Sequence, residues 1–298
     1  MMKKFLPVLI SVALLLCAMT LPPLRLFKAF SFPKAKSGNG TEIVSVEEFT
    51  DLLACMRSRS NQTIMTMQGV QQNFVLSADG ATAKADDVGL ANEKYTSWTT
   101  VFDISASMYA YGYFMDMNST MKIIVDGSET YYHFEDVSIN SDEFSASYDA
   151  ELYYGNGIAI IKYNDISVGG TDVYLKYDEE MIGRWVHISS AGELGDELID
   201  WMTSGMASFF EMLDEGIREA MAEGEFHETS DVYRTEVDGA DLTINLRSSE
   251  NPSAEISYED DGESIYYSIE FSGINSTDLD FDLDINIFDV DDFVKEND

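Results

Sequence analysis

The sequence predicts an α+β fold: a large antiparallel β-sheet built from hairpins, with an N-terminal helix and a long helical insert. Three observations lead there. Apolar residues alternate with a period of two from Thr63 onward, Asn-Gly and Asp-Gly dipeptides punctuate the alternating runs, and one long stretch with helical periodicity interrupts them.

The chain opens with "MMKKFLPVLISVALLLCAMTLPPLRLF", two lysines followed by an apolar run from Phe5 to about Pro22. This reads as an export signal or an N-terminal membrane anchor, with residues 1–36 as leader plus basic linker and 37–298 as a single exported domain. No small-x-small cleavage site closely follows the run, and Arg25, Lys28, Lys34 and Lys36 come after it, so the choice between cleaved and retained stays open. Leu14-Leu15-Leu16 before Cys17 departs from a lipidation box, which ranks an uncleaved anchor above a lipoprotein.

In "SVEEFTDLLACMRSRS", Ser45 and Glu48 have the spacing of a capping box, and Phe49, Leu52, Leu53 and Met56 recur at helical intervals. A first helix of about four turns is expected. Farther on, "YAYGYFMDM" reads as a strand with Tyr109, Tyr111, Tyr113, Met115 and Met117 on one side. Asp126-Gly127, Asn156-Gly157, Gly169-Gly170, Asp238-Gly239 and Asp261-Gly262 are the expected joints between strands. Such dipeptides suit the left-handed backbone of two-residue hairpin loops, which favours antiparallel neighbours over a parallel α/β sheet.

The insert runs from Leu194 to Met221. At ~100° per residue its apolar side chains, among them Leu194, Trp201, Met202, Met206, Phe209, Phe210, Leu213 and Ile217, cover an arc of roughly 200°. Core packing is the ordinary fate of such a face; the functional alternative is that its Met- and Phe-rich part borders a cavity for an apolar ligand. At the end of the chain, "DLDFDLDINIFD" resembles a calcium loop only superficially. Leu283 stands where an EF-hand needs Gly, and alternation instead predicts a closing strand with Leu279, Phe281, Leu283, Ile285 and Ile287 inward and Asp278, Asp280, Asp282 and Asp284 outward. A surface calcium shared with a neighbouring loop stays open.

Charge excludes one class of function. The first six basic residues precede the first acid, Glu42, which leaves 12 Lys and Arg against 54 Asp and Glu beyond residue 36. Such a surface repels nucleic acid and anionic headgroups. Catalytic and metal motifs are not found: His133, His187 and His227 are scattered, and no nucleophile elbow, phosphate loop, dinucleotide fingerprint or H-E-x-x-H occurs. Cys55 has no partner once Cys17 is set aside with the leader, so it reads as a small buried thiol. A non-enzymatic protein without cofactor is expected.

The order of parts, with "TDVYLKYDEEMIGRWVHIS", the helix from Leu194 to Met221 and "TEVDGADLTINL", resembles the lipoprotein-carrier fold of LolA-type carriers and LppX/LprG-type lipid-binding lipoproteins. The resemblance spans most of residues 45–290 and rests on hairpin and packing signatures. It implies a strongly curved half-barrel whose concave face receives the helices, and a lipid or other hydrophobic ligand held between them, with Trp201, Met202, Met206, Phe209, Phe210, Leu213, Tyr111, Tyr113 and Met115 as the expected lining. The expected partners are that ligand and the membrane, through the N-terminal segment. The alternative is a cell-envelope ectodomain with a dry core that meets a protein partner.

Overall fold

The computed structural model describes residues 41–59, 94–110, 113–142, 144–170, 182–188, 207–237, 239–260, 262–281 and 287–288. Helix α1 spans residues 46–59. Strands β1 (Ser97–Ala110), β2 (Tyr113–Asp126), β3 (Glu129–Ser141), β4 (Phe144–Gly155) and β5 (Ile158–Gly170) follow, then β6 (Trp185–His187) and helix α2 (Ala207–Glu223). The chain continues through β7 (His227–Thr229), β8 (Val232–Val237), β9 (Ala240–Asn245), β10 (Ser253–Asp260), β11 (Glu263–Ser272) and β12 (Ile287–Phe288). The twelve strands among the described residues join one sheet in the order β12-β6-β5-β4-β3-β2-β1-β11-β10-β9-β8-β7. The fold is therefore sheet-rich α+β, and the late hairpins extend the first meander because β11 pairs with β1.

The Ser45 cap forms as the sequence predicts, with the return bond of the box taken from the residue before it. The Ser45 hydroxyl accepts a hydrogen bond from the Glu48 amide at 3.2 Å, and the Glu48 carboxylate accepts one from the Val44 amide at 3.0 Å. Gly224, at φ 69°, ends α2, and the Glu225 amide reaches back to the Ala220 carbonyl at 3.0 Å. Both helices pack on the same face of the sheet, here called the inner face. Phe49 meets Phe271 edge-on at 5.8 Å, and Phe210 meets Phe102 at 5.8 Å. Asp214 of α2, buried, bridges Arg218 at 2.9 Å and Arg57 of α1 at 3.4 Å.

The period of two sorts residues between faces. Trp98, Thr100, Phe102, Ile104, Ala106 and Met108 of β1 point inward and are buried, and so do Tyr132 and Phe134 of β3 and Leu152 of β4. Two irregularities interrupt the ladders. In β3, Glu135 and Asp136 form a bulge, with Asp136 at φ 52°, and in β5 Asn164 is the extra residue between Tyr163 and Asp165. Bulges bend a strand and increase its twist.

The structure corrects four local expectations. "YAYGYFMDM" is not one strand: Ala110 pairs with Tyr113, so the chain reverses between them, and Tyr109 emerges on the outer face, 62% exposed, while Met115 is buried on the inner one. Gly169 and Gly170 are not a hairpin joint, because they continue the β5 ladder opposite Ser145 and Phe144. At the β2–β3 turn the loop residues are Gly127, at φ 53°, and Ser128, one position later than Asp126-Gly127 suggests, since Asp126 pairs with Glu129. Finally, residues 277–281, the described start of the predicted closing strand, are not in a strand. Leu279 and Phe281 lie on the outer face, and Ile287–Phe288 pairs in parallel with β6 at one edge of the sheet. Alternation is kept where it is described, with Leu279 buried and Asp278 and Asp280 exposed, but the apolar side meets a second core.

Candidate functional site

On the inner face, β1 and β2 place Met108, Met115, Met117 and Met121 in one buried layer, which Met56 of α1, also buried, meets farther along at Thr100. Met108 pairs directly with Met115, and Phe102 with Met121. The apolar layer continues through Val137 and Ile139 of β3, Ala146 and Tyr148 of β4 and Ile166 of β5. Contacts from the two helices land toward the other end of these strands, at Thr100, Phe102, Gly127, Thr130 and Phe271. There the buried Arg59 donates to the Thr130 hydroxyl at 3.2 Å and to the Gly127 carbonyl at 2.7 Å. Three polar groups mark the layer. Burial pushes the Tyr148 and Tyr267 phenols up, and the buried Trp98 indole N–H has no hydrogen-bond partner among the described residues.

Of the lining expected from sequence, Phe210, Leu213 and Met115 are buried in the inner-face core. Tyr113 opens β2 and Phe209 lies in α2. Tyr111, Trp201, Met202 and Met206 lie outside the described residues.

The outer face holds an arrangement that sequence reasoning missed. Register aligns Ile124, Tyr131, Tyr153 and Ile160 in one row across β2, β3, β4 and β5. Trp185 of β6 and Phe281 join them in a second apolar cluster. Phe281 stacks on Tyr153 at 4.1 Å and 8°, meets Trp185 edge-on at 5.3 Å and leans on Tyr131 at 6.1 Å. The Leu279 amide donates to the Asp126 carboxylate at 3.1 Å.

The neighbouring row is ionic: Lys122 pairs with His133, His133 with Glu151, and Glu151 with Lys162. Glu151 accepts hydrogen bonds from Lys162 at 2.9 Å, Asn164 at 2.8 Å and the Tyr131 hydroxyl at 2.7 Å. Asp149 accepts from Asn164 at 2.6 Å and lies 3.2 Å from His133 Nε2. The β5 bulge explains this convergence, because the extra residue lets Asn164 reach both carboxylates. Burial disfavours both charged carboxylates, yet these hydrogen bonds outweigh it and leave Asp149 and Glu151 below their ordinary values. For His133 burial acts downward, and the Asp149 carboxylate overcomes it, so the imidazole sits above its ordinary value. The lysine also lies 5.8 Å from the Trp185 ring centroid.

The signal for this site was present as parity. Tyr131 and His133, Asp149, Glu151 and Tyr153, and Ile160, Lys162 and Asn164 share one side of their strands, but that side reads as solvent-facing until register and the C-terminal segment close it. The other candidates resolve more simply. Among the described residues no three His, Cys, Asp or Glu come together to hold a metal, and no helix is long and apolar enough to cross a membrane. Asn275 spends its side-chain amide on structure, donating to Thr41 and the Lys94 carbonyl and accepting from the Thr96 amide. No protein-family model matches the chain, and no curated protein matches it.

Proposed function

We propose that this chain is an exported or membrane-tethered, non-enzymatic protein that shelters a lipid or other hydrophobic ligand between sheet and helices, as its resemblance to the lipoprotein-carrier fold implies. The observation that carries this reading is the composition of the inner face: Met56, Met108, Met115, Met117 and Met121 lie with Phe102, Phe210, Tyr148 and Tyr267 in one apolar layer. Unbranched thioether side chains re-pack around irregular acyl chains at little cost. The paired bulges in β3 and β5 support the curvature that a half-barrel needs.

The test is titration of the delipidated, detergent-extracted chain with a fluorescent fatty acid. Saturable binding is expected, with Phe210→Gln and Met115→Gln weakening it by a larger factor than their loss of thermal stability accounts for. A well-folded chain that shows no saturable binding would sink the reading. A different observation favours the alternative of a cell-envelope ectodomain. Tyr109 and Phe114 face each other across β1 and β2 on the outer face at 62% and 45% exposure, with Tyr266 at 39% on the adjacent β11. Aromatic side chains of this kind anchor protein interfaces. Recovery of one specific envelope protein with the anchored chain, lost on Tyr109→Ser and Phe114→Ser, would support that alternative.

A further inference from the structure

The outer face differs between the two ends of β2. Leu279 and Phe281 pack over it at Ile124, Tyr131 and Tyr153, whereas toward the start of β2 it carries exposed rings. Among the described residues the exposed large apolar side chains are Val44, Met221 and three aromatics, Tyr109 at 62%, Phe114 at 45% and Tyr266 at 39%. All three aromatics stand on this part of the outer face: Tyr109 pairs with Phe114, and Tyr266 lies one strand over, opposite Ser105. Single exposed apolar residues are ordinary, but several gathered on one face mark a contact surface. Between the Tyr109–Phe114 pair and Tyr266, register sets a row of four side chains: Asp116 of β2, Ser107 of β1, Ser264 of β11 and Glu259 of β10. The row ends in a carboxylate on either side, and three strand spacings put the two ~14 Å apart. Glu263 brings a third carboxylate, which accepts from the Tyr109 amide at 3.2 Å. Strands β1, β2, β10 and β11 together carry eight acidic residues and one basic residue, Lys122, which lies away from the rings, paired with His133.

We propose that this patch is a docking surface for a basic, extended segment of a protein partner. The proposal rests on the reading of these rings as a protein interface, names the chemistry of the partner, and is independent of what the inner face holds. Charge decides the sign of the partner. Carboxylates with one distant lysine attract Lys and Arg, and they repel acidic segments, nucleic acid and a second copy of this chain. The rings decide which cation fits best. A guanidinium lies flat on a Tyr or Phe ring and keeps its edge for a bidentate bond to a carboxylate, and here a carboxylate row adjoins the rings on either side. An extended segment presents residues i and i+4 on one side ~14 Å apart, so arginines at that interval reach Asp116 and Glu259 together.

Calorimetric titration of the full chain at physiological salt tests this, with a heptapeptide that has arginine at its second and sixth positions and glycine or serine elsewhere. Saturable binding is expected. The Tyr109→Ser, Phe114→Ser double variant removes no charge and should weaken it about 10-fold, and Asp116→Asn about fivefold. Glu215→Gln takes one charge from the exposed side of α2 and should change the affinity by less than about twofold. Absence of saturable binding overturns the proposal. So does a double variant that binds as the wild type does, or an Asp116→Asn effect no larger than that of Glu215→Gln, because either result leaves only diffuse attraction to an acidic surface. If the double variant does not fold, chemical-shift mapping of the wild type decides: changes gathered at Tyr109, Phe114 and Tyr266 support the patch, and changes spread over the acidic residues of every strand overturn it. An envelope protein captured through Tyr109 and Phe114 but indifferent to Asp116→Asn would overturn the basic segment and leave the interface reading standing.

Discussion

At the scale of single residues, the outer-face ionic row makes the sharpest claims. His133 is raised above its ordinary value, so its contribution is fully present below the unfolded pKa of about 6.5 and is lost as pH rises through the folded value. Asp149 and Glu151 are lowered, so theirs is present above about 4.3 and is lost as pH falls through the folded values. The stability attributable to this row is therefore greatest between roughly pH 4.5 and 6.5. Chemical denaturation across pH 5 to 8 should show a decline that flattens in His133→Gln; an unchanged profile would remove His133 from the account. Lys162→Met leaves the Glu151 carboxylate buried with fewer donors, and a cost of about 3 kcal/mol is expected from urea midpoints. Much of that loss should disappear in the Lys162→Met, Glu151→Gln double variant, since the penalty is the uncompensated charge rather than the pair. From the residues alone only the shared side within each strand was legible. Three strands contribute the groups, and only register shows that His133, Glu151 and Lys162 are neighbours.

Among the elements, the parts decided by neighbours in sequence came through. Helix α1 follows from the Ser45 and Glu48 pair, and the β4–β5 hairpin from Asn156 and Gly157, both at positive φ. The β7–β8 loop was missed because Ser230 and Asp231 adopt the same left-handed backbone, at φ 51° and 61°, without a glycine to announce it. The reversal inside "YAYGYFMDM" was missed because its alternation continues through the turn. The two helices are joined by a clasp that neither helical pattern reveals. Asp214 is 4% exposed at its side chain between Arg57 and Arg218. Asp214→Ala should cost about 2 kcal/mol in thermal or urea unfolding, because the buried hydrogen bonds to Arg are lost. Arg218→Ala should cost only about 0.5 kcal/mol, since that side chain is 51% exposed and its pair is screened by water. Equal losses from the two substitutions would show that the clasp does not tie α2 to α1.

Considered as one molecule, the chain is a broad sheet with two unequal cores, and its 54 acidic side chains against 18 basic ones load the surface with like charge. Self-repulsion of this size destabilises the compact state, so the unfolding midpoint should rise steadily with sodium chloride before specific ion effects enter. A midpoint that does not respond would mean that the acids are spaced widely enough to be screened already. The sequence by itself determined that the sheet is antiparallel and built from hairpins, and it placed the N-terminal cap of α1, because these depend on residues within a few positions of one another. Even the ends of "DLDFDLDINIFD" keep the predicted parity at Leu279 and Asp280. Only the tertiary structure decided which face of the sheet that parity serves. With β11 joined to β1, Leu279, Phe281 and Ile287 come to the outer face, where a row of tyrosines and isoleucines that would otherwise meet water becomes a second core beside the ionic row. Pairings of that separation are set by the free energy of closing the whole sheet, which no local pattern records.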